Sequence, residues 1–180
     1  MAVFGPPPWD SAPRGEADRR VPCGRVLVRT PTLEITLTAV VVYSTGWMFE
    51  LSAHAIRGDQ DEKRWRRIGR IVGQGFVSLN GPGRPPTSHQ DGLRLSVAYE
   101  GHPAVTTART VETAPELLPP NASSFTGYWQ GGSVLGNTVH AQHRAWLWPT
   151  PPAGPIALTL QWNAMGIAPV TVELDITSLN

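Results

Sequence analysis

Six basic side chains gather in one short stretch: Arg57, Lys63, Arg64, Arg66, Arg67 and Arg70, with Trp65 embedded among them. Such a cluster suits an anionic partner, whether nucleic acid, an acidic protein surface or a lipid headgroup. Asp59, Asp61 and Glu62 offset half of it. Spacings such as Asp59–Lys63 and Glu62–Arg66 equally fit i,i+4 pairs on the solvated face of a helix. Trp65 with Arg64, Arg66, Arg67 and Arg70 is the first candidate partner surface. Trp9, a lone tryptophan in a proline-rich N-terminus, is the second, and docking on its own domain, or no docking, is its simpler reading.

Trp146 and Trp148 form another constellation. At a strand's two-residue period they share a face with His140, Gln142 and Arg144. With Arg144 they make a candidate aromatic platform for a carbohydrate or another small ligand. The simpler reading is that the following connector, Pro149–Pro155, or a neighbouring segment covers them.

Other residues carry less. His140 and His143 are three apart, so on a strand they face opposite ways and cannot share a metal unless a bulge intervenes. His143, among Val139, Ala141, Ala145 and Leu147, is expected to be a buried, hydrogen-bonded histidine. Glu173 and Asp175 share one face about 7 Å apart, a separation open to paired acid–base carboxylates but usual for a solvated strand. Gly131–Gly136 lacks the glycine two residues after Ser133 that a nucleophile elbow needs, and no helix is expected after it to make a phosphate loop. Gly73 and Gly75 signal less still. Cys23 has no histidine or acid beside it in sequence and reads as an inert thiol. No catalytic residue, cofactor or metal site is expected.

Composition supports that reading. The chain has 180 residues and a formal net charge of +1, which gives no global bias toward nucleic acid or membrane. Its length suits one domain with a core of its own. A single cysteine rules out an intrachain disulfide. The longest apolar run, Ala39–Tyr43, is far too short to span a membrane, and Met1–Arg20 has no signal-peptide pattern. Asn121–Ser123 matches a glycosylation sequon but means nothing without secretion. A cytoplasmic location is expected. Composition sets no oligomeric state.

The elements that must position these residues are strands. Leu33, Ile35, Leu37, Ala39, Val41 and Tyr43 alternate with Glu34, Thr36 and Thr38. Trp47–Ile56 alternates likewise after the turn Ser44–Gly46, and the two runs make a hairpin. Leu93–Tyr99, Thr138–Trp148, Ile156–Trp162 and Val170–Ile176 are further strands. Arg25–Thr30 and Ala104–Ala108 alternate weakly, while glycines leave Phe125–Gly136 ambiguous. Residues 57–90 break the pattern. They hold a short helix from Asp59 to Val72 with Trp65 and Ile68 on one face, then the proline- and glycine-rich loop Asn80–Pro86. The eighteen glycines and eighteen prolines fall between periodic segments, as short strands with tight turns require. Trp146–Trp162 reads as two adjacent strands joined by a stiff proline connector. Residues 1–22 read as a flexible tail, with polyproline II character at Pro6–Pro8, and 23–180 as one domain. The fold class is all-β: an antiparallel β-sandwich, immunoglobulin-like in expectation, with one short helix or lid in residues 57–90.

The C-terminal half resembles a group of uncharacterised proteins of high-GC Gram-positive bacteria. The residues that carry the likeness are Trp146-x-Trp148-Pro149-x-Pro151-Pro152-x-Gly154-Pro155, the strand ending in Trp162, Gly166-Ile167 and the strand Val170–Ile176. Leu33–Ile56 and Leu93–Tyr99 are similar in pattern. Thr150, Ala153, Gln161 and Asn163 depart from the group's usual residues. The resemblance implies a shared β fold and no activity. A non-enzymatic cytoplasmic protein-interaction module is therefore the expected function, with a ligand-binding sandwich built on Trp146, Trp148 and Arg144 as the alternative. A third class, a hydrolase using Glu173 and Asp175, would need a pocket between them and His54 or His140.

Overall fold

The alternating runs become nine strands among the described residues, which in the computed structural model are 8–13, 15–16, 19–74, 92–99, 102–107 and 123–175. In chain order they are β1 (Arg19–Arg29), β2 (Leu33–Val42), β3 (Trp47–Ile56), β4 (Arg94–Tyr99), β5 (His102–Thr106), β6 (Ser124–Leu135), β7 (Thr138–Trp148), β8 (Pro155–Trp162) and β9 (Ile167–Asp175). One helix, α1 (Glu62–Gln74), follows β3, and a 3-10 turn (Asn163–Met165) precedes β9. Two antiparallel sheets result. The larger has the order β1-β2-β3-β7-β6 and the smaller β5-β4-β8-β9. The Asn80–Pro86 loop, His89, Asn121, Thr113–Ala122, Pro6, Pro7 and the chain end after Asp175 lie outside the described residues.

The core fills the space between the sheets. Ile35, Leu37, Phe49, Leu51 and Leu147 come from one side, Leu95, Val97, Ile156, Leu158, Leu160 and Trp162 from the other, and all are essentially inaccessible. Burial of each such side chain stabilises by roughly 1.5–3 kcal/mol. The two-residue period set most of these inward positions, but β2 departs from it. A bulge between Leu37 and Ala39 inserts one residue. Beyond it the inward positions switch, so Val40 and Val42 join the core while Val41 and Tyr43 pack on the outer face. The expectation that Leu33 through Tyr43 share one face is thus corrected at Thr38.

Trp146–Trp162 is corrected as well. β7 pairs with β3 and β6, whereas β8 pairs with β4 and β9. The two strands are not neighbours, and the proline segment carries the chain from one sheet to the other. Prolines suit that crossing because they lack the N–H that would join a ladder. Thr150 secures it by donating its N–H to the Thr45 carbonyl at 3.1 Å. The β2–β3 turn beneath is closed by Tyr43 N–H to the Gly46 carbonyl at 2.9 Å. Gly46 must be glycine, since a Cβ there would overlap the Leu147 carbonyl oxygen and the Trp146 ring.

The glycine-interrupted stretch is a full strand, β6, at the edge of the larger sheet. Its bulge between Trp129 and Gly131 absorbs the irregularity. β1 begins at Arg19, inside the stretch expected as tail, and includes Cys23. Burial pushes the Cys23 thiol above its ordinary range, which lowers its thiolate fraction and its reactivity.

Candidate functional site

The outer face of the five-stranded sheet divides into a covered half and an open half. In the covered half, Val41, Met48 and Trp146 form a second apolar cluster, ringed by Ala12, Tyr43, Tyr128 and Trp148. The N-terminal segment lies on it. Trp146 is fully buried and donates its indole N–H to the Pro8 carbonyl at 2.9 Å. Trp9 packs edge-on against Trp148, ring centroids 5.9 Å apart, and its carbonyl accepts from the Ser124 hydroxyl at 2.8 Å. Glu16 ties the segment to the β2–β3 turn through the Ser44 hydroxyl at 3.1 Å. The proposed aromatic platform is therefore occupied by the chain itself, by its N-terminus rather than by the proline connector. Trp9, a candidate partner residue by sequence, faces inward. Trp9→Ala should remove the edge-to-face contact, cost roughly 1 kcal/mol and raise quenching of Trp148 fluorescence by acrylamide. Unaltered quenching would mean that the segment does not cover the indole.

The open half is polar. Glu50 sits on β3 with its side chain only 13% exposed, between two arginines from flanking strands. Arg20 of β1 puts both Nε and Nη2 on Glu50 Oε2 at 2.9 Å. Arg144 of β7 puts Nη2 on Oε1 at 2.7 Å. Sheet register explains the grouping, because Glu50 and Arg144 are directly paired across β3 and β7. Thr38, Ser52, Gln130 and Gln142 complete the walls of a cleft of about 360 Å³. Four residues along from Glu50 and Arg144, His54 and His140 are also paired, their rings stacked 4.2 Å apart. The parts of this cleft were scattered in the sequence. Arg144 alone was singled out there, and nothing local marks Arg20 or Glu50 as its partners.

All of the basic cluster except Arg57 lies on α1, which covers the end of the larger sheet near the β6–β7 turn. Asp61 caps the helix, its Oδ1 accepting from the Arg64 N–H at 2.8 Å. Trp65, 5% exposed, belongs to the core, and its indole N–H donates to the Gly136 carbonyl at 3.2 Å. The expectation that it forms the centre of a partner surface is thereby corrected: the helical period that gathers Trp65, Ile68 and Val72 also turns them inward. Lys63, Arg66, Arg67 and Arg70 fall together on the opposite, exposed side, with Arg64 on its flank. Arg66 and Arg57 both pair with Glu62, and the Arg66 hydrogen bond first of all holds that carboxyl below its ordinary range. Lys63, Arg64, Arg67 and Arg70 have no acidic side-chain partner among the described residues. Beside the helix, Val134 and Leu135 at the β6–β7 turn are 61% and 69% exposed. Gly69 lies beside this turn, within van der Waals reach of Val134 and Val139.

The remaining candidates separate. His140 is exposed and His143 is buried, on opposite faces as the strand period requires. His143 lies under the end of α1, where burial pushes its pKa down to about 4 against a hydrogen bond to the Val72 backbone that pulls upward. Glu173 and Asp175 are exposed on the edge strand β9, on the other sheet from His54 and His140, so the carboxylates and histidines of the acid–base reading do not share a sheet. Among the described residues no three histidine, cysteine or acidic side chains gather as metal ligands, and no helix is long and apolar enough to cross a membrane. Comparison with protein-family models finds no match, and comparisons with curated proteins and with solved structures find none either.

Proposed function

We propose that this chain is a non-enzymatic interaction module that docks a protein partner through the outward face of α1 and the adjoining β6–β7 turn. One observation carries the reading: a helix anchored by Trp65 displays Lys63, Arg66, Arg67 and Arg70 together, beside the most exposed large apolar residues described, Val134 and Leu135. Desolvating unpaired cations is costly, and an acidic partner would offset that cost. An apolar recess in the same partner would receive Val134 and Leu135. The complementary partner is thus an acidic protein surface with a shallow hydrophobic depression. A cytoplasmic setting is part of this proposal, supported by a lone, unpaired cysteine. So is kinship with the high-GC Gram-positive group, supported by the tryptophan–proline segment. An immunoglobulin-like lineage is supported only as far as two packed antiparallel sheets, because β1, β2 and β3 here stay in one sheet.

The test is paired affinity capture from the native host at low and high salt. Arg67→Glu with Arg70→Glu reverses two side chains that take no part in the Glu62 pairs, so folding should be intact. A partner seen with the wild type should be lost in this double variant, weakened by Leu135→Ser, and lost at high salt. Capture indifferent to both variants would dismiss the surface.

A further inference from the structure

We infer that the cleft on the outer face of the five-stranded sheet binds a small monoanion bearing several hydroxyl groups, in chemical class a sugar acid. The geometry of Glu50 is the starting point. Its carboxylate holds two long side chains that would otherwise be mobile, Arg20 from one side and Arg144 from the other. Immobilising such a side chain on ligand binding ordinarily costs about 0.5–1.5 kcal/mol. Here the fold has already met that cost for both.

The tether does not exhaust the guanidiniums. Arg20 uses Nε and Nη2 on Glu50, and Arg144 uses Nη2 alone. The Nη1 groups of both donate to nothing among the described residues, and the two side chains remain 54% and 40% exposed. Two cations and one carboxylate leave a charge of +1 in the cleft, which a single anionic charge neutralises. Planar guanidinium edges match a carboxylate better than a spherical ion.

The rest of the wall defines the body of the ligand. Ser52, Gln130 and Gln142 offer a hydroxyl and two amides, none engaged by another described group. The Thr38 hydroxyl donates to the Glu50 carbonyl and retains acceptor capacity. Groups that both donate and accept pair with hydroxyls. Among the described residues that line the cleft none is aromatic, and Trp146 and Trp148 next to it lie under the N-terminal segment. A neutral sugar held by stacking is thereby disfavoured, and recognition falls to charge and hydrogen bonds. A volume of about 360 Å³ accommodates one pyranose-sized unit. This site is separate from α1 and independent of the partner reading.

Titration of the isotopically labelled full chain with D-glucuronate, followed through the arginine Nε–H and glutamine side-chain resonances, tests the assignment. Saturable shifts at Arg20, Arg144 and Gln142 are expected, with D-glucose and acetate each binding at least about tenfold more weakly. Arg144→Gln should weaken glucuronate by about tenfold with the core spectrum unchanged. Glu50→Gln separates positioning from simple charge. Loss of a carboxylate would tighten an anion if Glu50 merely repelled it, but should weaken binding if Glu50 holds the arginines in place. Shifts that do not saturate, glucose or acetate binding as tightly as glucuronate, an unaffected Arg144→Gln variant, or tighter binding by Glu50→Gln would each overturn the inference.

Discussion

Trp65→Ala is expected to lower the unfolding free energy by roughly 3–5 kcal/mol, the range for deleting a large buried aromatic. Two contributions combine. The indole is lost from the contact between α1 and the sheet, and the Gly136 carbonyl loses its donor. The same helix then loses the anchor that orients Lys63, Arg67 and Arg70, so partner binding should fall along with stability. Trp65→Phe keeps most of the apolar surface and removes only the hydrogen bond, for a cost of about 1 kcal/mol. Urea denaturation of both variants decides the matter. A midpoint for Trp65→Ala within error of the wild type would mean that the residue sits at the surface after all.

Acid should destabilise the protein through His143. Its folded pKa is about 4 against an ordinary 6.5, because burial penalises the imidazolium. The unfolded chain therefore takes up the proton first. Stability from this group is fully present above pH 6.5, declines as pH falls through that value, and is exhausted near pH 4. The whole contribution is roughly 3 kcal/mol. His143→Gln does not titrate and keeps a donor for hydrogen bonding near Val72. The difference in unfolding free energy between wild type and variant should narrow between pH 7.5 and pH 4, or reverse, by about that amount. A constant difference across the range would show that His143 is solvated or already charged in the fold. Subtracting the variant removes the background from carboxylates, which titrate in both proteins.

The strands were legible because period-two alternation is a local property. Thr138–Trp148 was readable to the residue, and the hairpin of Leu33–Ile56 was recognisable from the Ser44–Gly46 turn. The helix was legible too, although it starts at Glu62 rather than Asp59. Where the reading failed, pairing or register was at issue. Nothing within Pro149–Pro155 says that the next strand belongs to the other sheet. Nothing in Leu33–Tyr43 marks the extra residue near Thr38 that turns Val41 outward. The face shared by Trp65 and Ile68 was legible from their spacing, but the charged neighbours of Trp65 in sequence also made it a partner-surface candidate, and that face is the one packed into the core.

For the candidate site the division is sharper. Residue chemistry alone established that α1 carries an excess of positive charge and that no disulfide can form within these 180 residues. Alternation along β7 established that His140 and His143 look opposite ways. Only the tertiary structure decided that Trp146 and Trp148 are covered, since the cover is a segment more than a hundred residues earlier, bonded through the Pro8 and Trp9 carbonyls. Only it brought Arg20 and Arg144 to one carboxylate, from β1 and β7 on either side of Glu50. The physical reason is the same in both cases. A side chain's direction follows from the backbone period of its own element, whereas its neighbours follow from which strands share a ladder and in what register, and that is settled by the packing of the whole chain.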